Sequence, residues 1–176
     1  DEVNGVIGVA WIIEGLCAAY GVLEDQNILI FLNEIINGIK FNKGRGLWER
    51  PTYIYTNKSG IDQTFNHQLW LAYALVYYYK VAKKEVSIDV KNFFSNLDKH
   101  LTTHQDGLIK HAIENNNGIK NRLKNYLKKG KISLEFILKG KTTRYKENGY
   151  HLFNMYAFSR ISNLGYDNLF SNSINF

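Results

Sequence analysis

The stretch that decides the fold is residues 62–82, which reads DQTFNHQLWLAYALVYYYKVA. Apolar residues recur in it at spacings of three and four, which predicts a helix from about Thr64 to Lys83. Aromatic side chains are spread around this helix, which is typical of a buried one. We expect Asp62 to cap its first turn.

Five more helices are predicted around this one, over residues 3–20, 26–40, 88–101, 118–139 and 149–162. Asp25 is expected to cap the second, and Ser87 or Asp89 the fourth. The chain of 176 residues has a single proline, Pro51, which also favours helix. We therefore predict one all-α domain over residues 1–176, with about six helices arranged as helical hairpins.

Charge and composition restrict the function. The net charge is +6, and residues 119–146 hold ten basic residues against one acid, Glu135. Such a segment attracts phosphate, uronate or sulfate, or is a solvated surface. It has too few aromatic residues for nucleic-acid stacking. No membrane span is predicted, and the single Cys17 excludes an intrachain disulfide. Both a cytoplasmic and a periplasmic location stay open.

Residues 41–61, FNKGRGLWERPTYIYTNKSGI, form a long loop without helical periodicity. Loops of this length in a compact domain are usually functional or disordered, and the aromatic residues argue against disorder. Trp48 can stack on a sugar ring while Glu49 and Arg50 bind its hydroxyl or acid groups. Trp48 can equally be an anchor for the loop.

The densest polar cluster lies at the start of the helix over residues 64–83. Asp62, Asn66 and Trp70 are spaced i, i+4 and i+8, and His67 and Gln68 lie beside them. A helix N-terminus favours negative charge, so this place suits a bound anion or a developing negative charge. The alternative is that Asp62 is a plain cap and that the other polar groups are satisfied between helices.

Two further places carry candidate residues. Trp11 and Glu14 are one turn apart on the first helix, where a carboxylate on an apolar face needs a partner. Tyr150 and His151 begin the last helix, where His151 is placed as His67 is on its own helix. Neither a metal site nor a cofactor is predicted. The three histidines that lie close in sequence lack a neighbouring acidic ligand; they are His100, His104 and His111.

Five segments carry a resemblance to a known family. They are GVIGVAWIIEGL (5–16), GLWERP (46–51), DQTFNHQLWLAYAL (62–75), DGLIKHAI (106–113) and GYHLFNMYAFSRI (149–161). In this order they resemble α/α-toroid proteins of the six-hairpin glycosidase type. They are similar in particular to poorly characterised members encoded in bacterial surface-polysaccharide gene clusters. A closed toroid needs twice this many helices, so the resemblance implies half a ring. We then expect a homodimer or a missing N-terminal part.

The resemblance implies that the chain binds or acts on an oligosaccharide or polysaccharide in the funnel of the toroid. The basic net charge favours an acidic one. The predicted catalytic residues are Asp62, His67, His151 and Glu14. The predicted substrate-binding residues are Trp11, Trp48, Glu49, Asn66, Gln68, Trp70 and Tyr150.

Two enzyme reactions and one binding role stay open. A glycoside hydrolase needs two carboxyl groups, which Asp62 with Glu14 or Glu49 can supply. A uronate lyase needs a base such as His67 and a group that neutralises the substrate carboxylate. A non-catalytic glycan-binding or scaffold module is the alternative. A terpenoid-cyclase-like enzyme is disfavoured because the chain has no Asp-rich motif.

Overall fold

The computed structural model describes residues 5–51, 60–113 and 147–171. These residues fold as an all-α protein with six α-helices, so the predicted fold class and helix number are confirmed. The helices are α1 (Ile7–Leu23), α2 (Gln26–Asn37), α3 (Phe65–Val81), α4 (Ile88–Ser95), α5 (Leu97–His100) and α6 (147–163). The predicted helix at 118–139 and the basic segment 119–146 lie outside the described residues.

Helix α3 is the core of the protein, as its all-round apolar sequence predicts. It packs most extensively against α1. Because apolar residues cover every side of α3, each side must face another element. Its side chains without exposed surface are Phe65, Gln68, Leu69, Leu71, Ala72, Tyr73, Ala74 and Val76.

Helices α1 and α2 form a hairpin through a two-residue link. Glu24 takes a left-handed conformation with φ of 52° and closes α1 by donating its N–H to the Tyr20 carbonyl at 2.9 Å. The Asp25 carboxylate accepts the N–H of Asn27 at 2.9 Å, which confirms it as the cap of α2. The hairpin thus forms through local backbone chemistry.

The helix predicted over 88–101 is two helices, because Asn96 interrupts it. The Asn96 side chain donates to the carbonyl of Asn92 at 2.8 Å. Asparagine side chains compete in this way with helical backbone bonds. At the other end, the Ser87 hydroxyl accepts the N–H of Val90, so Ser87 caps α4.

The prediction that Asp62 caps α3 is wrong. The helix begins at Phe65, and its N-cap residue Thr64 makes no side-chain capping bond. Asp62 lies two residues earlier, and its Oδ1 accepts the N–H of Thr64 at 3.1 Å. The carboxylate therefore shapes the turn that leads into α3 and remains outside the helix.

Part of the long loop is a β-hairpin that the sequence analysis did not predict. Strand β1 (Phe41–Asn42) pairs antiparallel with β2 (Leu47–Trp48), with Phe41 opposite Trp48. Gly46 has a φ of +64°, which this tight turn requires. After β2 the chain bridges Glu49 to Ile61, which brings the loop to the start of α3. Residues 52–59 lie outside the described part of the loop.

In the part of the chain that the structure describes, no helix combines the length and apolar character that a membrane span needs.

Candidate functional site

The Asp62 carboxylate is the centre of the polar cluster before α3. It has no exposed surface. Its Oδ2 accepts the backbone N–H of Val6 and bonds Nδ1 of His67, both at 3.0 Å. The Arg50 guanidinium lies 3.8 Å from Oδ1. Three elements thus meet on one side chain: the start of α1, the loop after β2, and α3.

The surroundings of Asp62 keep it ionised. Burial by itself raises the pKa of the carboxyl group, but the hydrogen bonds from His67 and Val6 together with the charge of Arg50 outweigh burial and lower that pKa below its ordinary value. An ionised carboxylate only accepts hydrogen bonds. Nδ1 of His67 must therefore carry the proton of the bond to Asp62.

His67 consequently directs its other ring nitrogen away from the carboxylate. Its side chain is 17% exposed. Among the described residues, no group hydrogen-bonds Nε2. A buried carboxylate that fixes a histidine tautomer in this way prepares Nε2 to accept a proton.

Gly5 allows the chain to approach Asp62 this closely. Its φ is +54°, and a Cβ atom added there would lie 1.7 Å from Oδ2 of Asp62. Any side chain at this position would displace the carboxylate or the backbone of Val6. The glycine at the start of the GVIGVAW segment therefore belongs to the site.

The segment 109–113 brings the last helix to His67. The N–H of Phe65 donates to the carbonyl of His111 at 2.8 Å, which fixes this segment beside α3. The His111 ring lies edge-on to His67 at 6.2 Å and stacks on Tyr150 at 4.3 Å. The ring of His151 accepts the N–H of Ile109 at 3.2 Å. His67, Tyr150 and His151 are thus assembled around one segment.

His111 is a residue that the sequence analysis considered only as a metal ligand. The three histidines do not converge. His100 is buried against Phe93, and His104 bonds Glu147 at 3.1 Å. Within residues 5–51, 60–113 and 147–171, no group of three or more histidine, cysteine or acidic side chains is placed to hold a metal ion.

Two predicted substrate-binding residues have structural positions. Gln68 is fully buried, and its amide both accepts the N–H of Trp48 and donates to the Trp48 carbonyl, each at 2.8 Å. Trp48 is 1% exposed and packs between Phe41 and Phe93 at 5.1 Å from each. Burial leaves Trp48 no open face for a sugar, so we correct this prediction: Trp48 anchors the loop, and Gln68 holds Trp48 in place.

Glu49 and Asn66 are the two other predicted substrate-binding residues near the Asp62 cluster. Glu49 accepts the Asn42 amide at 3.4 Å and borders a cleft of about 380 Å³ together with Arg50. Asn66 is 4% exposed, and no partner for its Oδ1 is present among the described residues. Asn154 on α6 is also buried, and neither its Oδ1 nor its Nδ2 has a hydrogen-bond partner among the described residues.

A second cluster forms where Glu14 of α1 meets α3, one to two turns beyond His67. Oε2 of Glu14 accepts Nε1–H of Trp70 at 3.2 Å, and Oε1 accepts the hydroxyl of Tyr73 at 3.0 Å. Burial, the largest cause, raises the pKa of Tyr73 to about 12, so this phenol remains a donor. Trp11, one turn from Glu14, is about half exposed. Glu14 and Trp70, predicted separately from sequence, therefore share a site.

Three residues of α6 complete this cluster and were missed from the sequence. Phe153 and Tyr156 lie 5.6 and 5.8 Å from Trp70, and both are about half exposed. Arg160 donates Nε–H to the Tyr73 hydroxyl at 3.1 Å. Their spacings of three and four after Tyr150 place them along one face of α6, which was the available signal.

The comparisons with known proteins return a distant relative. The chain is similar to an archaeal glycosylation protein. This relative is Archaeal glycosylation protein Q of Haloferax volcanii, which is 28% identical over 173 aligned residues. The alignment covers 89% of this chain and 44% of the relative, so the chain spans less than half of the relative's length. No family model matches the chain, and no solved structure matches it.

Proposed function

We propose that this protein acts on an acidic glycan, with His67 as the general base and Asp62 as the group that orients it. The name of the distant relative supports a role connected with glycans. The observation that carries the proposal is the buried, ionised Asp62, which accepts Nδ1–H of His67 and leaves Nε2 for a substrate.

Proton abstraction suits this geometry better than hydrolysis by two carboxyl groups. Both oxygens of Asp62 are bonded within the protein and the residue is fully buried, so it cannot flank a glycosidic bond. Nε2 of His67 can instead remove the proton beside the carboxylate of a uronic acid. In such an elimination the bond to the leaving sugar breaks as a carbon–carbon double bond forms. Tyr150 or His151 then returns a proton to the leaving oxygen.

A non-catalytic glycan-binding module is the second candidate. The aromatic side chains of Phe153 and Tyr156 favour it, because both are about half exposed against the buried Trp70, and Trp11 is a further half-exposed aromatic residue. Exposed aromatic faces stack on sugar rings without any chemical step. The half-toroid architecture also stays a proposal, and the greater length of the archaeal relative is consistent with it.

The test compares His67→Ala and Asp62→Asn with His104→Ala. His104 is a suitable control because it also bonds a carboxylate, that of Glu147, but lies outside the Asp62 cluster. Oligomers of several uronic acids are supplied, and ultraviolet absorbance of the unsaturated product reports elimination. We expect His67→Ala to reduce turnover by about 10²- to 10⁴-fold and His104→Ala to retain it.

Thermal melts of the same variants separate a catalytic role from a structural one. Retained folding with lost turnover supports the general base. If His67→Ala turned over substrate as fast as the wild type, His67 could not be the general base. Binding of uronate oligomers without any turnover by the wild type would instead support the binding module.

A further inference from the structure

Arg160 is held near the surface by aromatic residues, and the Tyr73 hydroxyl lies between it and the Glu14 carboxylate. Its Nε–H donates to the Tyr73 hydroxyl at 3.1 Å, and its guanidinium lies over the rings of Tyr73 and Tyr156 at 5.7 and 5.9 Å. Within the described residues, no carboxylate comes within ion-pair distance of it and its two terminal nitrogens have no hydrogen-bond partner. In the part of the chain that the structure describes, the fork of N–H donors at its end is therefore open to a ligand.

The surrounding groups hold this guanidinium in place. Tyr73 accepts from Arg160 while donating to Glu14, so the three side chains form one chain of hydrogen bonds. The bond to Tyr73 also raises the pKa of Arg160, which keeps the group charged. A guanidinium stacked on aromatic rings loses little freedom when its fork binds a planar carboxylate.

The neighbours of Arg160 match the other parts of a sugar. Tyr156 is about half exposed, with Trp70 stacked on it at 21° and the Arg160 guanidinium 5.9 Å from its ring centre, so a sugar bound to Arg160 would meet the exposed part of this ring. Each oxygen of Glu14 accepts one hydrogen bond in the protein, and a carboxylate oxygen has a second lone pair for a sugar hydroxyl. The cluster thus offers a cation, an aromatic face and a hydroxyl acceptor.

This cluster lies on the same strip of the protein as His67. Along α6, Tyr150 stacks on His111, which is edge-on to His67. Further along, Tyr156 contacts Trp70 and Arg160 contacts Tyr73. The α3 residues at these three contacts are His67, Trp70 and Tyr73, in the same order. The two helices therefore lie side by side and run in the same direction. From His67 to Tyr73 the rise along α3 is roughly 9 Å.

We propose that Arg160 binds the carboxylate of a uronic acid unit whose ring contacts the exposed part of Tyr156. This inference rests on the proposed function, because it names the substrate group that the strip beside His67 recognises. It assigns to α6 a specificity residue for acidic over neutral glycans.

The experiment measures binding in the His67→Ala protein, so that turnover does not consume the probe. The probes are oligomers of galacturonate, glucuronate and mannuronate, each compared with its methyl ester, which keeps the ring and removes the charge. Isothermal titration calorimetry gives the affinities. We expect at least one acid to bind about tenfold more tightly than its ester, and Arg160→Gln to abolish that preference.

Three further variants complete the design. Arg160→Lys keeps the charge but not the fork, and we expect an intermediate preference. Tyr156→Ala should weaken acid and ester alike. Lys91→Gln removes the same charge from an exposed position on α4 and should leave the preference unchanged.

Each outcome has one meaning. Loss of the acid preference in Arg160→Gln but not in Lys91→Gln supports the assignment. The assignment would be overturned if Arg160→Gln and Lys91→Gln preferred the acid over the ester equally. It would also be overturned if the His67→Ala protein bound acid and ester equally, or bound no oligomer. The turnover assay on His67→Ala is independent, so general-base catalysis can fail while carboxylate binding by Arg160 holds.

Discussion

At the scale of single residues, the tightest constraint is the contact between Gly5 and Asp62. Gly5 has a φ of +54°, and its missing side chain leaves the space that Oδ2 of Asp62 occupies. The Val6 N–H that follows donates to the same oxygen. One glycine therefore determines whether the carboxylate can orient His67.

We predict that Gly5→Ala destabilises the protein by about 2 kcal/mol or more, because the left-handed backbone is strained for alanine and the new methyl group collides with Asp62. Chemical denaturation measures this. The control is Gly15→Ala, since Gly15 lies within α1 with open space around it. That change should stabilise the protein by roughly 0.5–1 kcal/mol. Similar effects of the two substitutions would contradict this account of Gly5.

At the scale of secondary-structure elements, Gln68 joins the β-hairpin to α3. Its amide bonds both backbone groups of Trp48, and its Nε2 also donates to the carbonyl of Asp62 at 2.7 Å. The side-chain amide thus makes the pair of hydrogen bonds to β2 that the backbone of a neighbouring strand would make. The loop and the helix are therefore held together by one amide at the centre of the protein.

We predict that Gln68→Ala destabilises the protein by roughly 3 kcal/mol or more. The buried Trp48 N–H and Asp62 carbonyl would lose their partner, while the Trp48 carbonyl would keep the N–H of Asp62 at 3.3 Å, and each unsatisfied buried group costs about 1–3 kcal/mol. Gln63→Ala is the matched control, because the side chain of Gln63 is exposed at the same end of α3, and it should change stability by less than about 0.5 kcal/mol. Urea unfolding followed by tryptophan fluorescence compares the two. A stable Gln68→Ala protein would show that Trp48 is held by packing alone.

At the scale of the whole molecule, the α1–α2 hairpin leaves an apolar outer face. Ile12, Ile30 and Phe31 are each more than half exposed. Exposed apolar side chains on adjacent helices are typical of surfaces that pack against another element or another molecule. The homodimer stays a prediction, and this face is where we expect its contact.

We predict that the isolated chain self-associates and that the double change Ile30→Glu with Phe31→Glu reduces association, since it places two charges in the contact. Sedimentation velocity over a range of concentrations measures this. Lys91→Glu alters the net charge by the same amount at an exposed position on α4 and should leave association unchanged. A wild-type chain that sediments as a 20.4 kDa monomer at every concentration would contradict the prediction.

Periodicity and local chemistry were enough to predict α1, α2, α3 and α6, and two helix caps. The all-round apolar pattern of residues 64–83 indicated the buried α3, and Asp25 and Ser87 could be recognised as caps from their positions. These features depend on residues within one or two turns of each other. For the same reason Asp62, His67, Tyr150 and His151 could be named as candidates from their places before or at the start of helices.

Only the tertiary structure decided which groups these residues contact. The sequence does not show that Gly5 lies against Asp62, that Trp48 is buried while Trp11 is exposed, or that Arg160 reaches Tyr73 across 87 positions. Such contacts join distant segments and depend on how α1, α3 and α6 pack. Burial also determined that Asp62 holds the His67 ring and is closed to solvent, because a carboxylate with every oxygen bonded and no exposed surface cannot leave its partners.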